Sequence, residues 1–303
     1  MHILITGGTG FIGQALVPHL LQAGHRISIL SRSQHRDTAQ CTFVRSLEEL
    51  SPDSAPDAVI NLAGASLAGK RWTRAYKEEL VASRVQGTRA LVAYFAESAE
   101  PPRVLLSASA IGYYGPRGDD ALTEEAAPGS GFSSELCQAW EQEAARAAEA
   151  GIRTCLLRLG VVLDRQGGAL KEMALPFRFG VASWPGSGHQ YLSWIHRQDV
   201  VAAMAFLLAE DTLAGPFNLT APGPVTQREF CRAMRKHFRT LPGMPVPGPV
   251  MRLLLGEMAG ELLLSGQRVV PAGLQRAGFE FRYPGIDDAL AAIFGAQAGD
   301  RLP

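Results

Sequence analysis

The sequence is poor in cysteine, and this scarcity argues against several classes of protein. Only four of its 303 residues are cysteines, and Cys41, Cys137, Cys155 and Cys231 are too widely spaced to form a CxxC pair. They do not cluster with histidines either, so neither a metal site nor a disulfide framework is predicted. Reduced thiols and a cytoplasmic location are therefore expected.

The sequence also has no excess of one charge and no long apolar run. Lys+Arg and Asp+Glu both number 29, so neither nucleic acid nor an anionic membrane is a predicted partner, although this balance does not exclude a local basic patch. The stretch from Leu253 to Leu264 is interrupted by Gly256, Glu257 and Glu261, which leaves no membrane-spanning length. A strand pattern starts at residue 2, so no cleaved export signal is expected.

What the sequence does have is an apolar run at residues 3–5 that stops at TGGTGFIG, residues 6–13, before a helical pattern begins. Because glycine lacks Cβ, Gly7 and Gly10 can bend the main chain and admit a pyrophosphate, while Gly13 lets the helix lie close to the strand. Free N–H groups at a helix N-terminus attract anions. The turn therefore predicts a dinucleotide site, with contacts from Gly7, Thr9, Gly10, Phe11, Ile12 and Gly13.

The end of the second predicted strand, Arg26 to Leu30, indicates which dinucleotide is bound. Proteins that prefer NAD carry an acidic residue there, about twenty residues past the glycines, which binds the ribose 2′-hydroxyl. This sequence has Ser31 and Arg32 instead. A guanidinium binds a 2′-phosphate through its planar set of donors, so we predict NADP(H) as the cofactor, held by Ser31 and Arg32. The alternative is that Arg32 is an ordinary exposed loop charge.

The TGGTGFIG turn resembles the signature of the extended short-chain dehydrogenase/reductase superfamily, which includes the nucleotide-sugar epimerases. Residues 57–64 resemble the NxAG element of that superfamily, residues 103–115 its SSxxVYG element, and residues 186–199 its GxGxxxxxxIHxxD element. The resemblance implies further cofactor contacts, although a tight turn or a solvated helix charge would explain several of these residues equally well. They are Asn61, Leu62, Ala63, Gly64, Glu79, Arg84, Gly160 and Val161.

The fold class that follows is α/β, a Rossmann-type doubly wound parallel sheet with a smaller, discontinuous C-terminal substrate-side domain. We expect residues 1–165, completed by about 196–220, to form the NADP-binding domain. Residues 166–195 and 221–303 would then form the substrate-side domain. The leucine-rich tail of the second part resembles a C-terminal segment of unknown function that one atypical branch of epimerase-family proteins carries.

Candidate catalytic and substrate-binding residues follow from the same resemblance. Ser109 matches the serine or threonine that hydrogen-bonds a substrate carbonyl or hydroxyl, and Tyr113 and Tyr114 would flank it. Gln190, Tyr191 and Trp194 are predicted to reach the substrate. For His196 and Asp199 we favour a capping role at the start of a helix over a catalytic dyad, and Arg158 is also expected to be structural.

One departure limits the prediction of catalysis. The superfamily transfers a proton through a Tyr in a YxxxK motif, and no YxxxK exists here, since the four lysines follow Ser66, Thr73, Gly167 and Arg232 by four positions. Alignment of the helix at residues 134–150 puts Ser133 at the Tyr position and Cys137 at the Lys position. A reactive Cys137 is disfavoured, because a cysteine within a helix is usually part of the core.

Two interpretations follow from this departure. The first is an NADP(H)-dependent oxidoreductase or epimerase-like enzyme of the atypical extended class, in which Tyr113 or Tyr114 supplies the proton and the substrate is a small carbonyl compound or a nucleotide-sugar-like molecule. The second is a catalytically quiet NADP(H)-binding protein that acts as a sensor or regulator. The sequence decides neither the substrate nor the oligomeric state.

Overall fold

The computed structural model describes residues 1–33, 35–50 and 55–295. Its strands are β1 (His2–Thr6), β2 (Arg26–Leu30), β3 (Cys41–Val44), β4 (Ala58–Asn61), β5 (Val104–Ala110), β6 (Ala121–Leu122), β7 (Arg153–Leu159), β8 (Val161–Leu163), β9 (Ser183–Pro185), β10 (Tyr191–Leu192), β11 (Trp194–His196), β12 (Gly215–Leu219), β13 (Val225–Thr226), β14 (Met244–Val246) and β15 (Arg268–Val269). Its α-helices are α1 (Gly13–Gln22), α2 (Arg74–Val81), α3 (Gly87–Ala96), α4 (Phe132–Ala145), α5 (Gly168–Arg178), α6 (Arg197–Ala209), α7 (Gln227–Met234), α8 (Gly248–Leu255), α9 (Glu257–Leu262), α10 (Ala272–Arg276) and α11 (Ile286–Phe294).

Seven strands form one parallel sheet in the order β12-β7-β5-β4-β1-β2-β3. The chain runs outward from β1 to β2 and β3, then returns to β4 on the other side of β1. This reversal leaves a crevice between the carboxyl ends of β1 and β4, where open α/β sheets bind their ligands. The predicted Rossmann-type fold class is confirmed.

Helices cover both faces of the sheet because its strands are almost continuously apolar. On one face, β1 and β2 pack against Leu16 and Leu20 of α1 and against the apolar side of α6. On the other face, Leu91 and Phe95 of α3 pack on Leu4 and other strand residues. Helices α2 and α3 are joined without a break by one π-helical turn at Ala82–Gln86.

A second hydrophobic cluster lies outside the sheet and is formed mainly by α5, α7, α11 and β11. Its largest fully buried side chain is Trp194. Thr226 and Glu229 form a capping box at the start of α7. No helix among the described residues has the length and apolar character to cross a membrane.

Candidate functional site

The glycine turn lies in the crevice between β1 and β4, and its geometry requires glycine at two positions. Gly7 adopts a φ of +70°, and a Cβ on it would lie 2.8 Å from the carbonyl of Leu62. A Cβ on Gly13 would lie 2.4 Å from the carbonyl oxygen of Gly8, closer than real Cβ atoms come. The turn is closed by the N–H of Gly10, which donates to the Gly7 carbonyl at 2.9 Å. The main chain here forms the cradle that the sequence predicts.

Asn61, at the end of β4, holds the two strands of the crevice together. Its Oδ1 accepts from the hydroxyl of Thr6 at 2.7 Å, and its Nδ2 donates to Thr88 and Ser107. The N–H of Ala63 donates to the same Thr6 hydroxyl at 3.1 Å. Because both amide hydrogens of the buried Asn61 are used inside the protein, the predicted cofactor contact through its side chain is corrected to a structural role.

Ser31 and Arg32 follow β2, the strand that pairs with β1 on the side away from β4. The side chain of Arg32 is exposed. The N–H of Ser31 donates to the carbonyl of Val44 at 2.9 Å, which fixes the end of β2 against β3. The structure thus places Arg32 at the end of the strand next to β1, at the edge of the sheet where the glycine turn lies, and its contact with a cofactor stays a prediction.

Arg84, predicted to contact the cofactor, is buried in the π-helical turn and holds the loop that follows β4. Its Nη2 donates to the carbonyl of Ala65 at 2.9 Å, and its guanidinium lies 5.2 Å from the ring centre of Trp140. Burial lowers the pKa of this guanidinium. A Cβ on Gly64 would lie 3.1 Å from its Cζ, so Arg84 and Gly64 are brought together. Glu79 is about half exposed and pairs with Lys70, and its contact with the cofactor stays a prediction.

Ser109 belongs to a buried polar network that sequence analysis missed. Its hydroxyl donates to Oε1 of Glu141 at 2.6 Å. Arg158 binds the same carboxylate through two bonds, Nε to Oε1 and Nη2 to Oε2, both at 2.8 Å. All three side chains are buried. Because its proton is donated to Glu141, the Ser109 hydroxyl offers only lone pairs to a substrate, and Arg158 has the structural role predicted for it.

The two candidate tyrosines differ in what their hydroxyls do. Tyr114 has no exposed surface; its hydroxyl donates to Asn218 at 2.7 Å and accepts from Arg158 at 2.9 Å. Burial raises its pKa. Because the buried Tyr114 hydroxyl already donates its proton to Asn218, it contradicts the predicted catalytic role, and Tyr114 is a structural residue. Tyr113 is partly exposed, and the Arg158 guanidinium lies 3.5 Å from its ring centre, while its hydroxyl makes no hydrogen bond to any described residue.

Ser133 and Cys137 both lie next to Gly112, just beyond Ser109. A Cβ on Gly112 would be 3.2 Å from Ser133 Cβ and 3.6 Å from Cys137 Sγ. Burial raises the pKa of the Cys137 thiol to about 12, and the charge of Glu141 adds to this effect. The thiol therefore stays protonated near neutral pH and is not a reactive nucleophile, and it cannot supply the positive charge of the missing lysine.

The segment after residue 256 reaches the start of α4. The carboxylate of Glu261 accepts from the N–H groups of Phe132 and Ser133, at 3.0 and 2.8 Å. Gln190, a predicted substrate contact, donates to the carbonyls of Pro185 and Leu263. The C-terminal segment therefore binds α4, the helix on which the superfamily's Tyr/Lys pair would stand, and also one predicted substrate residue.

The remaining substrate predictions divide. Tyr191 is partly exposed, with the guanidinium of Arg268 at 5.5 Å from its ring centre, and stays a prediction. Trp194 is fully buried and its indole N–H donates to the Gly223 carbonyl at 2.9 Å, so the prediction that its side chain reaches substrate is wrong. A Cβ on Gly160 would lie 2.7 Å from the carbonyl of Ser193, which makes this position a close approach of two chains.

The structure confirms the predicted capping role of His196, whereas Asp199 binds the C-terminal segment instead of capping α6. Nδ1 of His196 accepts from the N–H of Gln198 at the start of α6. The carboxylate of Asp199 accepts from the N–H groups of Arg282 and Tyr283, and so ties α6 to the C-terminal segment. Burial lowers the pKa of His196 to about 4 and raises that of Asp199.

Four predicted cofactor contacts remain, three of them in the glycine turn itself. Arg197 donates to the Phe11 carbonyl at 3.3 Å and pairs with Asp164 at 3.1 Å, and its guanidinium lies over the Phe11 ring. A Cβ on Gly168 would meet that ring at 2.6 Å. Phe11 is thus fixed from two sides. Thr9 is exposed and Ile12 is partly buried; for both, and for Val161, which is bound through its N–H to Ser193, cofactor contact stays a prediction.

Comparisons with known proteins agree with this architecture. An epimerase family protein of Mycobacterium bovis is 38% identical over 290 residues, 95% of this chain and 96% of that protein. One from Staphylococcus aureus is 39% identical over 297 residues, covering 95% and 97%. The crystal structure of the human epimerase family protein SDR39U1 with NADPH has a TM-score of 0.89 and 31% identity, and covers 97% of this chain and 99% of its own.

A nucleoside-diphosphate sugar epimerase from Corynebacterium glutamicum is 30% identical, with a TM-score of 0.77, and covers 99% of this chain but only 59% of its own. The model of a domain of unknown function, DUF1731, matches residues 246–293, where the resemblance to the atypical branch lies. The model of the NAD dependent epimerase/dehydratase family matches residues 3–219. The chain therefore belongs to the NAD dependent epimerase/dehydratase family.

Proposed function

We propose that this protein binds NADP(H) in the crevice between β1 and β4 and is an oxidoreductase or epimerase-like enzyme of the atypical extended class. The observation that carries the proposal is the cradle itself, in which a Cβ at Gly7 or Gly13 would collide with the main chain. Such a turn leaves bare N–H groups at the start of α1 for a pyrophosphate. The human relative whose structure contains NADPH supports the same cofactor.

The choice of NADP(H) over NAD(H) rests on Arg32. Arg32 is exposed just after β2, and its guanidinium would bind a 2′-phosphate, with Ser31 beside it. When bound, the nicotinamide would supply or accept a hydride. The chain's own residues would bind the diphosphate and hold the ribose near the main chain of Leu62 and Ala63.

Proton transfer would fall to Tyr113 in this proposal. The hydroxyl of Tyr114 and that of Ser109 already donate to Asn218 and Glu141, respectively, whereas the hydroxyl of Tyr113 donates to no described residue. Ser109 would then accept a hydrogen bond from a substrate hydroxyl. A small alcohol or carbonyl compound, or a nucleotide-sugar-like molecule, is the proposed substrate class.

A catalytically quiet NADP(H)-binding protein is the second candidate. It is favoured by the same network, because the protonated Cys137 thiol stands at the usual lysine position and no lysine replaces it. The two candidates share the cofactor site and differ only in whether bound NADPH reacts.

The cofactor is tested by changing Arg32 to Asp and measuring the Kd of NADPH and NADH by fluorescence titration. We expect NADPH affinity to fall about a hundredfold, since a charge-assisted phosphate contact is replaced by a repulsive carboxylate, while NADH affinity changes little. Arg36→Asp is the matched control, because this side chain is also exposed and lies outside the strand end. Equal losses for both nucleotides would contradict the choice of NADP(H).

Catalysis is tested by following the absorbance of bound NADPH against a panel of carbonyl compounds and sugar nucleotides. Oxidation that Tyr113→Phe abolishes and that Tyr94→Phe, a change in α3 away from the predicted site residues, leaves intact would support the enzyme. Tight NADPH binding with no oxidation of any compound would favour the quiet protein.

A further inference from the structure

Exposed large hydrophobic side chains are confined almost entirely to two segments of the described chain. Phe179 is 78% exposed and Leu241 is 67% exposed. Single exposed apolar residues are ordinary, but a group of them on adjoining segments indicates an interaction surface. Apart from Met1, the exposed large hydrophobic residues are Leu175, Phe179, Val181, Leu241, Met244, Val250, Leu253 and Leu254.

Hydrogen bonds hold the tips of these two segments side by side. The N–H of Leu241 donates to the carbonyl of Gly180 at 3.0 Å, and that of Met244 donates to Ala182 at 3.1 Å. From there β14 continues parallel to β9. Phe179, Val181, Leu241 and Met244 therefore lie on neighbouring stretches of backbone, and all four side chains are exposed.

Cationic side chains gather at the same place, where α5 and α7 end. Arg232, Arg235, Lys236 and Arg239 line one groove together with Phe238 and Thr240. Within the described residues, Lys236 is the one member of this groove that pairs with a carboxylate, that of Asp287 at 2.7 Å. Stabilisation of a helix C-terminus accounts for one or two cations, not for this number. A chain with no net charge thus carries a local basic patch.

We propose that this surface, the tip face, docks on an anionic lipid bilayer. It consists of Phe179, Val181, Leu241 and Met244 with Arg178, Arg232, Arg235, Lys236 and Arg239 around them. An anionic bilayer matches both parts of the surface, because headgroups attract the cations while the exposed apolar side chains enter the acyl boundary.

The other occupants fit less well. A second copy of the chain, related by a twofold axis, would place this cluster of cations opposite itself. An acidic protein partner would match the charges, yet large apolar anchors at protein interfaces fill pockets, and here they stand 67% and 78% exposed on turns. A bilayer requires no matching pocket.

The test is cosedimentation of the purified full chain with vesicles of phosphatidylglycerol and phosphatidylcholine, and with vesicles of phosphatidylcholine alone. We expect binding to the anionic vesicles only, and weaker binding at high salt. The variant Arg232→Glu/Arg235→Glu/Arg239→Glu should weaken binding at least about tenfold. Its control, Arg26→Glu/Arg36→Glu/Arg103→Glu, changes the net charge equally at exposed sites elsewhere and should bind as the unchanged protein does.

A second variant separates a bilayer from an acidic macromolecule. Phe179→Ser/Leu241→Ser keeps every charge and removes two exposed side chains, so folding should be unaffected and vesicle binding should fall several-fold. If Phe179→Ser/Leu241→Ser binds the anionic vesicles as tightly as the unchanged protein does, the adsorption is caused by charge alone. That result would overturn the proposal in favour of an acidic partner. Absence of binding to anionic vesicles by the unchanged chain would also overturn it.

Discussion

The region around the sheet and the region after residue 240 treat apolar surface in opposite ways. In the described chain up to residue 174, Met1 is the one large hydrophobic residue that stays exposed. In α8, by contrast, no residue is buried, and Leu253 is 77% exposed. The first region buries its apolar side chains in the core that fixes the crevice between β1 and β4. The second keeps part of them available for contacts outside the chain.

The two regions are nevertheless joined by buried polar groups. The carboxylate of Glu124 accepts from the N–H of Asn218 at the sheet edge and from that of Gly273 in α10. Asn218 in turn binds Tyr114, which binds Arg158. A continuous chain of hydrogen bonds therefore runs from Ser109 to the C-terminal segment. Substitutions within this connection and outside it test how the two regions differ and whether they are coupled.

The largest expected effect follows from removing Arg158. Burial by itself would lower the pKa of this guanidinium, but the hydrogen bonds and charge of Glu141 raise it, so the Arg158 guanidinium stays charged. Arg158→Met leaves the Glu141 carboxylate buried without its partner, and we expect the free energy of unfolding in urea to fall by about 3–5 kcal/mol. Arg74→Met breaks the exposed pair with Glu78 and should cost less than about 1 kcal/mol. Equal losses would show that burial does not distinguish the two pairs.

The glycine turn gives the next effect. In Gly13→Ala the added Cβ would overlap the Gly8 carbonyl, so the start of α1 must shift, at a cost of about 3 kcal/mol at most for such overpacking. NADPH affinity should fall with it, because the N–H groups move. Gly260→Ala in α9 adds a Cβ where no atom lies within 4 Å and should leave the affinity unchanged. Titration of bound NADPH fluorescence measures both variants, and an unchanged Kd for Gly13→Ala would place the cofactor elsewhere.

His196, whose ring centre lies 4.1 Å from that of Tyr283 in the C-terminal segment, makes the stability of the fold depend on pH. Its pKa is about 4 in the folded chain against an ordinary value near 6.5, so it contributes stability that is present above pH 6.5 and lost as pH falls toward 4. Between pH 7 and pH 5 the loss should be about 2 kcal/mol in the free energy of unfolding. His196→Asn keeps a side-chain acceptor for the Gln198 N–H, and asparagine does not titrate. The free energy of unfolding of this variant, measured in urea, should therefore change less between pH 7 and pH 5. Parallel profiles for the two proteins would remove His196 as the source.

How much of this could be predicted from the sequence depends on how local each feature is. The glycine turn and Arg32 lie within one strand-turn-helix unit, where spacing alone indicates the backbone conformation. The capping role of His196 is local in the same sense. Spacing within such a unit carries no information about partners that are distant in the sequence.

The rest depends on contacts that spacing does not encode. Ser109 and Glu141 are 32 positions apart, and Tyr114 and Asn218 are 104 apart. These hydrogen bonds form only when β5, α4, β7 and β12 pack together, so the sequence does not indicate them. Trp194 stands in a motif near the substrate side, yet its indole packs inward. The tip face is hidden in the composition because the opposite charges elsewhere cancel its cations.

The smallest expected effect shows whether the two regions unfold together. Gly87 in α3 and Gly260 in α9 both stand in helices with open space where a Cβ would lie. Replacement by Ala should stabilise each helix by about 0.5–1 kcal/mol, since alanine loses less backbone entropy. If the Glu124 connection makes unfolding two-state, both variants raise one common Tm by similar amounts in calorimetry. If the C-terminal segment unfolds first, Gly260→Ala raises only an early transition and Gly87→Ala only a later one, and the buried connection then does not couple the regions.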